Sequence, residues 1–335
     1  MVTDRYVVGV DGGASKTVAL IGTVEGKILG RGETGSSNYH NVGSTVASNA
    51  IRRAVLEAKR NASLSGIMPK TAVVALAAID SPKDRHVTSL FVHRTKIAET
   101  SFVIHDSVAA LYAATQGKPG IIVNSGTGSV AAGINRTGEY VRVSGWGYIV
   151  DDEGSAFDIG RKALTTAFRT LDGRNPHTKL TVTLKRRFGV QSLEEILNII
   201  YTKDWGVEEM ASLAPLVSKA AKTDKVCRDI LKQSGISLAE LVVTVAKRLR
   251  MTRSKFMVVT FGGNFKSGRY LLEPFTSRVK LDCPHAQLRR LDIEPAIGVF
   301  WLAAKLNSPN VTDSRSAKRM LGDLRAKYKK DTQQL

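Results

Sequence analysis

Cysteine is almost missing from this 335-residue chain: Cys227 and Cys283 are its two. Thiols that far apart supply neither a disulfide framework nor, alone, a thiolate metal cluster. Long apolar runs are missing too, so no stretch of about 18 residues reads as a membrane span. The first residues, MVTDRYVVGVDGG, set an acid and a base before a very short apolar run, which does not suit a secretory signal. A cytoplasmic protein is expected. Acidic residues are in short supply: 30 Asp and Glu face 49 Lys and Arg, a formal charge of +19. Such an excess draws attention to anionic partners, from nucleotides and sugar phosphates to nucleic acid. The basic residues are spread along the chain, however. Their densest groups, LKRRF (184–188), AKRLRMTRSK (246–255) and SRSAKRMLGDLRAKYKK (314–330), lack the aromatic pattern of an RNA-binding sheet and the spacing of a zinc finger. A solvated basic surface is therefore expected rather than nucleic-acid binding.

With 43% hydrophobic residues, the length suits roughly two domains. RYVVGVD (5–11), TVALIGTV (17–24) and ILGRGET (28–34) read as three consecutive strands. Helical spacing begins at STVASNAIRRAVLEAKRNA (44–62), with Ser44 as N-cap. TAVVALAAID (71–80) and SFVIHD (101–106) read as buried strands, the second running into a helix closed by Gly117. The design then restarts. GIIVNSGTGSVAAGI (120–134) again places a glycine-rich polar bend between apolar strands, and GEYVRVSGW (138–146) follows. A long helical stretch from Asp158 to about Arg250, the strand KFMVVTFGGN (255–264) and an apolar helix from Glu294 complete the pattern. Strand–helix alternation predicts an α/β sheet protein. Two similar halves are expected, residues 1–117 joined by a C-terminal helix at about 294–330, and residues 118–293 with a helical insertion.

Three polar bends carry the chemistry. DGGASKT (11–17) offers the backbone of Gly12 and Gly13 with the hydroxyls of Ser15 and Thr17; SGTGS (125–129) offers Gly126, Thr127 and Gly128; FGGN (261–264) offers Gly262 and Gly263. Glycines admit close approach, and clustered N–H groups with hydroxyls suit phosphate oxygens. Each bend alone is equally a plain turn. Asp11 is a candidate carboxylate for Mg²⁺, held through water. Lys16 has no P-loop spacing around it and reads as a solvated side chain.

The order DGGxxKT, SGTGS, GWGYIVDDEGSAFDIG (145–160) and FGGNFKSG resembles the sugar-kinase branch of the actin/hexokinase/Hsp70 fold. Most closely it is similar to the BadF/BcrA ATPase family, in its archaeal broad-specificity hexokinases and N-acetylglucosamine kinases. GSSNYHNVG (35–43) is similar to the sugar loop of those hexokinases. The resemblance, from Tyr6 to about Lys305, implies two similar α/β domains of ribonuclease H-like fold flanking a cleft. It also implies an ATP- and Mg²⁺-dependent kinase acting on the 6-hydroxyl of a hexose such as glucose, with an N-acetylglucosamine kinase as the alternative, and a homodimer.

By the same resemblance Asp106 is the general base, a role its strand-end position shares with that of an N-cap. Asn38, His40 and Asp152 bind sugar hydroxyls, and Trp146 walls the sugar site. Thr127 touches the β- and γ-phosphates, while Gly262, Gly263 and Phe265 lie at the adenine and ribose. Strand alternation points His105 away from Asp106. The chain departs from the N-acetylglucosamine kinases at Tyr148, where they commonly carry histidine, which points away from a strict preference for that sugar. It departs also at Ala77 and Ala78, where relatives often carry glycine. A dehydratase-activating ATPase would need cysteine ligands for an iron–sulfur cluster, which Cys227 and Cys283 do not match. A sugar- or nucleotide-binding regulator, or a protein touching nucleic acid through its basic surface, is the non-catalytic alternative, and retention of Asp106 argues against it.

Overall fold

The computed structural model describes residues 5–307, except residues 14, 78, 80, 116–117, 203–204 and 291–293. The expected cap at Gly117, the residue Ala78 and the basic segment 314–330 lie outside the described residues. By its contacts the chain divides into two units, one of residues 1–120, 134–140 and 291–335, the other of residues 121–133 and 141–290.

The first unit is built on a five-stranded sheet. β1 (Tyr6–Gly12), β2 (Thr17–Thr23) and β3 (Ile28–Thr34) form an antiparallel meander, and β4 (Thr71–Leu76) and β5 (Thr100–His105) extend it in parallel, giving the order β3-β2-β1-β4-β5. β1 and β4 are near-continuous apolar runs because helices cover both faces. α1 (Tyr39–Asn61) buries Ile51, Ala54, Val55 and Ala58 in the core that holds Val8, Val10, Ile21 and Val74. On the opposite face α11 (Pro295–Asn307) lies directly on β1: a Cβ at Gly9 would sit 2.3 Å from the Phe300 backbone nitrogen. Only a residue without a side chain allows that approach. α1 is capped by Asn38 rather than Ser44. Gly43, at φ +77°, divides the helix where the sequence pattern begins.

α2 (Pro82–Arg94) carries no readable sequence period, because two of its four buried residues are the polar Asp84 and Thr88. Its start is fixed by a capping box, Ser81 and Asp84 each satisfying the other's backbone N–H. α3 (Asp106–Thr115) follows β5 without a linker.

The second unit repeats the plan. β6 (Gly120–Ser125), β7 (Ser129–Ile134), β8 (Tyr140–Ser144), β9 (Phe256–Phe261) and β10 (Ala286–Arg290) stand in the order β10-β9-β6-β7-β8. The helical insertion comprises α4 (Ala156–Leu171), α5 (Leu180–Phe188), α6 (Glu195–Ile200), α7 (Val207–Ala211), α8 (Ala214–Ala220) and α9 (Lys225–Arg248); α10 (Arg269–Asp282) packs between β9 and β10 in the chain. Cys227 and Cys283 are both fully buried among the apolar residues of this unit's core. Burial pushes the Cys227 thiol up to about 12, with Asp224 adding to the effect.

Candidate active site

In the first unit, parallel register brings three strand ends to one edge. Gly12 aligns with Leu76, and Leu76 with His105, so Asp11, next to last in β1, and Asp106, just past β5, reach the same edge two strands apart. The carboxyl ends of parallel strands are where open α/β sheets hold ligands. The bend after β1 closes through Gly13 N–H donating to the Lys16 carbonyl at 2.9 Å. The loop 35–38 folds onto that bend: Ser37 N–H donates to the Gly13 carbonyl at 3.2 Å, and a Cβ at Gly12 would lie 2.3 Å from Ser37 Oγ. Ala77 N–H donates to the Gly12 carbonyl at 3.3 Å. The glycine bend 11–17 and the loop 35–38 are thus one welded structure in this unit.

Asp11 is the perturbed group. Burial, then the nearby charges of Asp106 and Glu294, push its carboxyl up to about 7, and Lys16 acts against them. A recessed carboxylate facing two others has an unmet demand for positive charge, which fits a hard divalent cation. Glu294 escaped the sequence reading because it stands alone before an apolar helix, with no motif around it. Lys16 is not simply solvated: its Nζ lies 3.6 Å from Glu33 and 4.0 Å from Glu294, and Arg31 pairs with the same two acids.

Asp106 is 39% exposed at its side chain, and its Oδ1 lies 2.7 Å from His105 Nδ1. The expectation that His105 points away is corrected. Strand geometry ends at His105 and a helix begins at Asp106, so period-two alternation does not extend across the pair. His105 Nδ1 also receives Ser107 N–H at 3.1 Å and meets Ser107 Oγ at 2.7 Å; that hydroxyl lies 2.9 Å from Tyr140 Oη.

Asn38 and His40, expected to bind sugar, have structural partners. Asn38 Oδ1 caps α1 by accepting from His40 N–H at 3.1 Å. His40 Nε2 lies 3.3 Å from Asp84, which also accepts from Tyr39 Oη. Asp84 is held below the usual carboxylate range by hydrogen bonds from Tyr39 and Ser81, against the opposing effect of burial. Ser15 and Gly13 remain accessible in the bend, whereas Thr17 is fully buried and its hydroxyl donates to the Gly35 carbonyl at 2.8 Å. Thr17 therefore fastens the bend instead of reaching a ligand.

In the second unit the other two bends meet. β9 and β6 are neighbours, and a Cβ at Gly262 (φ +99°) would sit 2.3 Å from the Ser125 carbonyl oxygen. Asn264 Nδ2 donates to Ser125 Oγ at 3.0 Å, and Ser125 Oγ donates to the Gly154 carbonyl at 2.7 Å. Gly126 and Gly128 are half-buried and Thr127 is exposed at the tip; Gly263 follows Gly262 into a short 3₁₀ turn. Phe265, expected at the adenine, is instead 2% exposed and packs edge-on to Phe275 at 5.5 Å, because the 3₁₀ turn directs it into the core. Asp152 is 7% exposed at φ +70°, and its Oδ1 accepts Ser129 N–H at 2.9 Å. A Cβ at Gly128 would meet Asp152 Oδ2 at 2.9 Å. The carboxylate predicted to hold sugar braces the glycine loop. Trp146 is 63% exposed, with the Arg142 guanidinium 4.8 Å from its ring. Tyr148 is exposed and packs against Phe157 at 4.8 Å.

Two five-stranded mixed sheets flanked by helices, each with a glycine bend after its first strand, define an actin-like α/β fold of the kind shared by hexokinases. The chain belongs to the BadF/BadG/BcrA/BcrD ATPase family, whose model matches residues 8–303. It is similar to an N-acetylmuramic acid/N-acetylglucosamine kinase of Clostridium acetobutylicum, at 30% identity covering 89% of this chain and 98% of the relative. An N-acetyl-D-glucosamine kinase of Dictyostelium discoideum is 29% identical over 90% of this chain and 98% of the relative. A crystal structure from Chromobacterium violaceum, provisionally named an N-acetylglucosamine kinase, superposes with a TM-score of 0.70 at 26% identity, covering 88% of this chain and 98% of that one.

Proposed function

We infer that the protein is an ATP-dependent sugar kinase whose acceptor is an N-acetylated amino sugar. One observation carries the reading: the register that brings Asp106 to the same sheet edge as Asp11 and its glycine bend. The sequence ranks broad hexose phosphorylation first. The named substrates of the two curated relatives, which the chain matches over nearly their whole length, favour the amino-sugar alternative.

In this reading Asp106 accepts the proton of the attacking sugar hydroxyl, its exposure leaving it accessible to substrate. His105 Nδ1 stands 2.7 Å from one of its oxygens. Asn38, His40 and Trp146 contribute to sugar recognition, with Asn38 and His40 held rigid by the α1 cap and by Asp84. Gly13, Ser15 and the bend at Gly126–Gly128 offer backbone and the hydroxyls of Ser15 and Thr127 to the phosphates, and Gly262 and Gly263 lie at the nucleoside. Asp11, with Glu294 behind it, would hold Mg²⁺ through water. When bound, that ion offsets the phosphate charge.

The test is ADP release with Mg-ATP over N-acetylglucosamine, N-acetylmuramic acid, glucosamine, glucose, mannose and no sugar, on wild type and Asp106→Asn. Release should be highest with the N-acetylated sugars and fall by about 10²–10⁴-fold in the variant, the span general-base catalysis contributes. Release independent of sugar would refute a kinase. A glucose preference would restore the hexokinase reading.

A further inference from the structure

A second pocket lies in the first unit, sharing no residue with the candidate active site. It is a cavity of about 390 Å³ between the middle of α1 and the turn that leads from α2 into β5. Arg52 and Lys59 enter it from α1, Arg94 from the last turn of α2, and Lys96 from the turn. No acidic side chain lines it, and among the described residues none of the four cations belongs to an ion pair. The adjoining cavity, of about 590 Å³, is mixed in charge because Glu57 lines it beside Arg53 and Arg60. Arg52, Arg94 and Lys96 are exposed and Lys59 half-buried, so four like charges with no acid among them face one concavity, a positive potential that attracts an anion.

Helix polarity explains part of this arrangement, since cations favour C-terminal turns. It explains Lys59 and Arg94 but not Arg52, which stands mid-helix, nor the backbone of Lys96. Lys96 is a non-glycine residue at φ +49°, in the left-handed region where glycine is preferred. Directly after the α2 C-cap Thr95, lysine carries strain that glycine would relieve. Ser48 and Asn49 add neutral hydrogen-bonding groups at the rim, and buried Val55 and Ile97 form an apolar floor. Burial also pulls the Lys59 ammonium below its usual range.

We propose that this pocket binds a small phosphorylated metabolite of sugar-bisphosphate size, with Arg52, Arg94, Lys59 and Lys96 on its phosphates and Ser48 and Asn49 on its hydroxyls. The volume falls within the range of small-molecule sites. A nucleic-acid strand would call for an extended groove with stacking aromatics, and no aromatic residue lines this one.

Isothermal titration calorimetry with glucose 1,6-bisphosphate, and separately with inorganic pyrophosphate, reads the site; a short single-stranded RNA is the third arm. Arg52→Gln with Arg94→Gln should weaken bisphosphate binding by about tenfold or more, since charge-assisted contacts are lost. ATP affinity should hold. The charge-matched control Arg186→Gln with Arg187→Gln, exposed on α5, should leave bisphosphate binding unchanged. Lys96→Gly separates binding from folding: it should weaken the bisphosphate while raising the melting temperature by about 2 °C or more. Equal loss in the control pair, or full binding in Lys96→Gly and in the Arg52 and Arg94 variant, overturns the proposal. Binding of RNA alone, lost in the same variant, overturns it in favour of a nucleic-acid face.

Discussion

Replacing Asp11 by asparagine should make the protein more stable at alkaline pH while impairing its activity. The Asp11 carboxyl titrates near 3.8 in an unfolded chain and is pushed up to about 7 in the fold by burial and by Asp106 and Glu294. Between those values the native state holds a proton that the unfolded state has released. Stability therefore falls as pH rises from about 4 and levels off above about 7, the sign for an acid raised on folding. Integrating the two titrations from pH 5 to pH 8 gives a loss of about 2.5 kcal/mol from this one group. Asparagine mimics the neutral acid at every pH and escapes the loss. The melting-temperature difference between Asp11→Asn and wild type should therefore widen by roughly 5–10 °C from pH 5 to pH 8, for a unit of this size. Calorimetric scans in chelator, at four pH values, would read it. Taking the difference between the two proteins cancels the other titrating groups, including Asp84 and Asp224, whose lowered carboxyls push stability the opposite way. Adding magnesium should narrow the gap from the wild-type side, because a cation beside Asp11 stabilises its charged form. A temperature difference that stays constant with pH would refute the electrostatic account of Asp11.

Trp146→Ala should raise the KM for sugar several-fold and change unfolding free energy by no more than about 0.5 kcal/mol, because the ring is largely exposed; steady-state kinetics and urea melts check both. Asp152→Ala should cost about 1–3 kcal/mol by orphaning the Ser129 N–H and should raise the KM for ATP, since it slackens the Gly126–Gly128 loop. If the sugar KM moves instead of the ATP KM, Asp152 touches sugar as the sequence suggests.

The motifs were legible because their chemistry is local. Glycine pairs between apolar runs report a bend after a strand wherever they occur, and the repeat of that design in both halves reported the fold. The strands β1, β4 and β6 announced themselves as unbroken apolar runs. α2 did not, because Asp84 and Thr88 occupy half of its buried face. Nor did β10, whose AQLRR buries mainly Ala286 and shows no alternation. Residue type assigned Thr17 to a ligand and the family resemblance assigned Phe265; burial, which depends on what the rest of the chain packs against them, turns both inward. Asp152 belongs to the same group, since its partner Ser129 lies 23 residues away.

From the sequence alone came the order of the bends, the candidate base at a strand end and the family resemblance, all of them properties of residues near one another in the chain. Tertiary structure alone decided that Asp11, Asp106 and Glu294 share one electrostatic neighbourhood, that His105 turns onto Asp106, and that four cations surround an empty-charged concavity between α1 and α2. Coulomb energy depends on separation in space and on burial. Neither quantity exists until the sheet register has been set.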